Sequence, residues 1–96
     1  MKIFAVSKPV TGATPEKIMA MAKEEVSAGW KLYANGKFRE MYFRKDGMGA
    51  IIVLECADEA EAKGLLAALP LVKAGLAEYD IYPALPFTHF ELLFAK

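Results

Sequence analysis

Ala50-Ile51-Ile52-Val53-Leu54 is apolar at every position. Successive strand residues point to opposite faces of a sheet, so a strand written this way leaves neither face for water. Whatever the chain folds into must cover both. The preceding strand repeats the demand: Met41 and Phe43 are expected on one side, and Phe38 and Tyr42 on the other. A chain of 96 residues is one domain's worth. At 10.5 kDa it buries only about 60–70 % of its unfolded surface. With 55 % hydrophobic residues it carries more apolar surface than so small a copy hides. Another copy of the chain is expected to bury part of it.

The punctuation of the sequence places the remaining elements. Residues 2–8 read as a short strand ended by Pro9. Thr14-Pro15 is a helix start, with Thr14 as N-cap, and the helix is expected to run to about Ala34 before Asn35-Gly36 stops it. Lys37 to Arg44 and Ala50 to Cys56 are strands joined by a tight connection, hence antiparallel. Asp58 caps a second helix, with Glu61 at capping-box spacing. That helix is expected to turn Ala60, Leu65, Leu66 and Leu69 inward and to stop at Pro70. A last strand follows, about Leu76 to Pro83.

The order β-α-β-β-α-β is the ferredoxin-like arrangement of an α+β fold: a four-stranded antiparallel sheet with two helices on one face. Two such sheets packed face to face, as a dimeric α/β barrel, would cover the face that the helices leave open. Residues 1–96 are read as a single domain. Its tail, 86–96, is too apolar for water and is expected to pack on a partner subunit.

Charge and composition narrow the function. Twelve basic residues balance twelve acidic ones, so nothing draws the chain generally to nucleic acid or anionic membrane. No apolar run approaches the roughly 18–20 residues that cross a bilayer. With no secretory signal to read at its start, the chain is expected in the cytoplasm. Cys56 is the single cysteine and His89 the single histidine, so no disulfide framework and no metal site is expected. No phosphate loop, HExxH or GxSxG motif is present, and no cofactor is expected.

One carboxylate breaks the pattern. At about 100° per residue, Ile18, Met21, Ala22, Val26, Gly29, Leu32 and Tyr33 fall on one stripe of the first helix, and Glu25 lies within about 40° of its centre. Gly29, one turn on, is expected to leave space beside it. A carboxylate in that position pairs with a buried base, takes up a proton, or faces a cavity. The last two outcomes raise its pKa toward general acid–base duty. The first, an ion pair with Arg39 or Arg44, would only hold helix to sheet. Arg39 and Arg44 are also suited to gripping a substrate carboxylate. Trp30 and Tyr33, with Tyr42, Tyr79 and Tyr82, are either pocket walls or core. His89 is either an interface residue or a group that reaches a pocket mouth from the tail. Cys56 reads as a small buried hydrophobe.

The run Gly36-Lys37-Phe38-Arg39-Glu40-Met41-Tyr42-Phe43-Arg44 and the later Leu69-Pro70-Leu71 resemble the muconolactone isomerase-like family. The resemblance implies dimeric ferredoxin-like barrels, often in larger rings, that move a proton between carbons without a cofactor. It also places an acidic cluster of that family where Glu25 stands. The expected function is a cofactor-free isomerase or other proton-transfer enzyme acting on a small, partly apolar acid or lactone. Glu25, Tyr42 and His89 are its expected catalytic groups, and Arg39, Arg44, Trp30 and Tyr33 its expected substrate-binding groups. The alternative is a non-catalytic small-molecule binding protein of the same barrel type.

Overall fold

Burial along the first strand, β1 (Lys2–Lys8), alternates: Ile3, Ala5 and Ser7 are buried, while Lys2, Phe4 and Lys8 are not. This period of two divides the fold into a helix layer on one side of the sheet and an open face on the other. The computed structural model describes residues 1–95. Helices α1 (Pro15–Ala20) and α2 (Ala22–Ala34) follow β1. After them come β2 (Phe38–Phe43), β3 (Ala50–Glu55), α3 (Glu59–Ala67), a single turn α4 (Pro70–Lys73) and β4 (Glu78–Ala84). A 3₁₀ segment, Thr88–Leu93, ends the described chain.

The sheet has the order β2-β3-β1-β4, with every neighbouring pair antiparallel. Lys2 lies opposite both Glu55 of β3 and Ala84 of β4. The α+β ferredoxin-like fold expected from the element order is therefore the one observed. Its core lies between helices and sheet, where Ile3, Ala5, Phe38, Ile52, Leu54, Cys56, Ala62, Leu66 and Leu69 form one buried cluster.

Several local expectations need correction. The first helix is broken at Met21, whose φ of −109° and ψ of 5° leave the α region, so it is two helices and not one. The stripe is displaced as well: Val26 is 69 % exposed and Tyr33 50 %, while Ala28, Gly29 and Leu32 face the core side. The two residues belong to the apolar arc of the wheel, but only its Ala28, Gly29 and Leu32 side packs on the core. In β2 a bulge between Phe38 and Glu40 shifts the register by one. An extra residue reverses the alternation beyond it, so Phe38 and Met41 share the helix side while Glu40 and Tyr42 face the other way. In α3 the buried residue is Ala62 and not Ala60, which is exposed. Pro70 does not simply end α3; it opens α4 at its first position, where a missing N–H costs nothing.

The caps follow the sequence. Thr14 Oγ1 accepts from the Lys17 amide at 3.3 Å. Asp58 Oδ1 accepts from the Glu61 amide at 2.8 Å, and the Glu61 carboxylate reaches back to the Ala57 amide at 3.0 Å. The β2–β3 turn depends on Gly49, with φ +122°, where an added Cβ would collide with Ser7 Oγ. That hydroxyl accepts from the Ala50 amide at 2.8 Å, and the Ser7 carbonyl accepts from Arg44 Nη1 at 2.6 Å. Among the described residues no helix is long and apolar enough to cross a membrane.

Candidate functional site

Helix α2 packs Ala22, Glu25, Ala28, Gly29 and Leu32 toward the protein, spaced by three or four residues with one adjacent pair. Glu25 is the only charged group in that series and lies near its middle. It is half-buried and makes no ion pair among the described residues. Its Oε1 accepts a hydrogen bond from the Leu71 amide at 3.0 Å. Leu71 is the second residue of α4, so a side chain of α2 caps the free N-terminus of that turn, where Leu69 supplies no side-chain cap and Pro70 no N–H.

Desolvation of Glu25 pushes its carboxyl upward from the ordinary glutamate value, and the Leu71 amide opposes the shift only in part. Tyr79 of β4 senses the same charge. Burial, and then the Glu25 carboxylate, push its phenol up to about 12. A phenol held that high keeps its proton throughout the neutral range and acts as a hydrogen-bond donor. Both groups are thus shifted upward, Glu25 by desolvation and Tyr79 by burial and then by the Glu25 charge.

Two clefts open on this side of the molecule. One, of about 430 Å³, runs between α2 and α3 and is lined by Glu24, Ser27, Lys31 and Leu65 among others. The second, of about 270 Å³, lies between α3 and β4; Tyr79 lines it with Leu66, Val72 and Ile81, and Lys8 and Lys63 stand at it. Glu25 lines neither; Tyr79, which senses its charge, lines the smaller one. The space expected beside Gly29 is occupied: a Cβ there would lie 3.2 Å from Met41 Cε.

The other expected site residues are dispersed. Tyr42 lies opposite Ile51, which lies opposite Val6. That is the open face, away from Glu25. Its hydroxyl donates to Glu40, whose charge raises the phenol pKa. His89 is in the 3₁₀ segment past the end of β4, beside Phe87 at 5.6 Å. Tyr79 pairs with Ser7 and Ala84 with Lys2, so about 17 Å of strand separates the carboxylate's neighbour from the start of the tail. One protomer does not bring Glu25, Tyr42 and His89 together. Arg39, the bulge residue, donates from Nε to the Gly36 carbonyl at 2.7 Å. Arg44 is held in a two-pronged bond to Asp46 at 2.9 and 3.0 Å. Neither arginine pairs with Glu25, so the ion-pair alternative is absent. Trp30 and Tyr33 stack at 5.8 Å on the outer side of α2 and are 64 % and 50 % exposed. Cys56 is buried, and desolvation pushes its thiol upward, away from reactivity. Among the described residues no group of three or more His, Cys, Asp or Glu converges to hold a metal.

Sequence reasoning placed Tyr79 only in a general aromatic pool and missed the Leu71 amide. Alternation in β4 could have put Tyr79 and Ile81 on one face. A backbone N–H has no signature in sequence.

The sheet order and the helix layer define a small α+β domain of the ferredoxin-like fold. Residues 6–85 match the YCII-related domain, and the chain belongs to that family. Among solved structures, the chain is similar to 5-chloro-2-hydroxyhydroquinone dehydrochlorinase (TftG) from Burkholderia phenoliruptrix AC1100 in complex with 2,5-dihydroxybenzoquinone. The TM-score is 0.75 at 17 % identity, with 93 % of this chain and 98 % of that chain covered. At that identity the likeness is one of fold. No curated protein sequence matched the chain. The ferredoxin-like fold that the muconolactone isomerase-like resemblance implied is the one observed.

Proposed function

We propose that this YCII-related protein is a cofactor-free proton-transfer enzyme acting on a small, partly apolar acid, lactone or hydroxylated ring. The carrying observation is Glu25: a half-buried carboxylate on the packed face of α2 with no ion pair among the described residues, bonded to the Leu71 amide and felt by Tyr79, a phenol that stays protonated. In this reading Glu25 removes a proton from carbon next to a carbonyl, and the Tyr79 hydroxyl donates a hydrogen bond to the enolate oxygen that forms. The protonated Glu25 then returns the proton to a second carbon for an isomerisation. For an elimination it holds the proton while an anion leaves. Lys63, at the smaller cleft and without an ion pair among the described residues, suits a ligand carboxylate. A second copy packed on the open sheet face makes the protein a homodimer or larger ring, in keeping with the exposed Tyr42 and Tyr82 there.

The TftG likeness guides the choice of probes. Small γ-lactones and chlorinated hydroxyquinols are incubated with the protein in deuterated water and followed by proton NMR. The expected result is deuterium uptake or chloride release that is lost in Glu25→Gln and reduced in Tyr79→Phe. Turnover unchanged in Glu25→Gln across the pH range overturns the proposal.

A second reading has its own support. The Leu71 contact makes Glu25 a cap for α4, and the same clefts would then hold a ligand without chemistry. Its mark is a ligand that raises Tm and is recovered intact.

A further inference from the structure

The protomer exposes 6962 Å² of surface, whereas a compact 10.5 kDa chain exposes about 5,400 Å². Its radius of gyration is 15.7 Å, against about 12.5 Å for a compact chain of this length. The long axis of 59 Å, with 28 and 19 Å across, shows the same excess as elongation. Much of it is the C-terminal arm. Leu85, Phe87, Phe90, Leu92, Leu93 and Phe94 are each at least 66 % exposed. In a 3₁₀ segment side chains three apart line up, so Phe87, Phe90 and Leu93 form one ridge. Phe87 and Phe90 already meet edge to face at 4.9 Å.

A second apolar surface lacks a cover. Val26, Trp30 and Tyr33 repeat at helical spacing along the outer side of α2 and are 69, 64 and 50 % exposed. Gly29 lets Met41 close against the helix, so edge strand β2 sits directly beside it. Phe43, two residues beyond Met41 and 93 % exposed, extends the same surface.

We propose that the C-terminal arm of one copy seats on the Val26–Trp30–Tyr33 stripe and Phe43 of a second copy, reciprocally. This rests on the two-copy part of the function proposed above. Three observations favour a second copy as occupant. Arm and stripe belong to opposite edges of the sheet, since β4 and β2 are its two outer strands, about 14 Å apart. A two-fold axis along the strands places the β4 edge of one sheet over the β2 edge of the other, which closes two equal contacts and leaves none open. The excess of roughly 1,500 Å² over a compact chain exceeds the about 800 Å² that each partner gives to a stable interface. The chain's net charge is zero, so copies do not repel.

Trp30 is the only tryptophan and reports its own cover. Acrylamide quenching and sedimentation are measured together on the full chain and on a Phe87→Asp/Phe90→Asp variant, with circular dichroism to confirm folding. The expected result is a wild-type dimer with shielded Trp30. In the variant Trp30 becomes severalfold more quenchable, and dimer dissociation strengthens by at least about tenfold. A Val26→Asp/Phe43→Asp variant is expected to dissociate likewise. Mixed with the arm variant, it recovers part of the dimer through the one intact arm and stripe. A wild-type dimer whose Trp30 is as open as in the variant overturns the seating and leaves the two-copy reading in place. A wild-type monomer with open Trp30 overturns both. Shielding of Trp30 in a monomer shows the arm folding on its own chain and also overturns the seating.

Discussion

Ile52 and Val53 are neighbours in β3, and both are buried, but in different company. Ile52 lies opposite Ala5 and Met41 on the helix side, within the main core cluster. Val53 lies opposite Phe4 and Glu40 on the other side, among side chains that are themselves open. Phe4 is 37 % exposed there, Tyr42 54 % and Tyr82 55 %. On the helix side the chain completes its own burial. On the open side Phe4, Tyr42 and Tyr82 stay partly open around the buried Val53. The contrast teaches that apolar pattern alone does not say which molecule does the covering. β3 is equally apolar on both faces, and only the helix layer, packed over one of them, separates them.

That contrast can be broken by substitution. Phe38→Ala, on the helix side and fully buried, is expected to cost about 3–5 kcal/mol in urea unfolding, independent of protein concentration. Phe4→Ala on the open side is expected to cost at least about 2 kcal/mol, seen as dimer dissociation and a concentration-dependent Tm. A loss of no more than about 0.5 kcal/mol would mean that water already covers that face. Asp58→Ala removes an N-cap on the helix side and is expected to cost about 1 kcal/mol in the same unfolding series.

The smallest effect concerns Glu25, and its sign follows from the direction of its shift. Folding raises the Glu25 pKa, so the folded chain holds that proton more tightly than the unfolded chain. The resulting stability is present below the ordinary carboxylate range and is lost as pH rises through the raised value. Glu25→Gln keeps an acceptor for the Leu71 amide and carries no charge. Its Tm is expected above wild type at about pH 8, with the gap closing toward about pH 4. An unchanged gap across that range would place Glu25 in water and remove it from the helix-side region.

Much of the fold could be read directly because its signals are local. Thr14-Pro15 and Asp58 with Glu61 act within a few residues, and the alternation of Ile3 and Ala5 needs only a strand. Glu25 was legible for the same reason: one acidic residue on a periodic stripe. The break at Met21 was not, because no Pro or Gly marks it. The bulge at Arg39 was not, because nothing in a strand's composition announces an extra residue. The partners of Glu25 come from 46 and 54 positions away in sequence, one of them a backbone amide. Which aromatic residue joins the site depends on packing that periodicity does not encode.

The central position of β1 has a kinetic consequence. It is made first, yet its two neighbours are β3 and β4, so Lys2 must await Glu55 and then Ala84. Long closures of this kind slow the search for the native topology. The hairpin β2–β3 and the helices α1 to α4 precede the last edge, β4, in the chain. The aromatic arm emerges only once most of the sheet it follows has been made. The order of residues thus places the most apolar exposed segment after every strand of the sheet it follows.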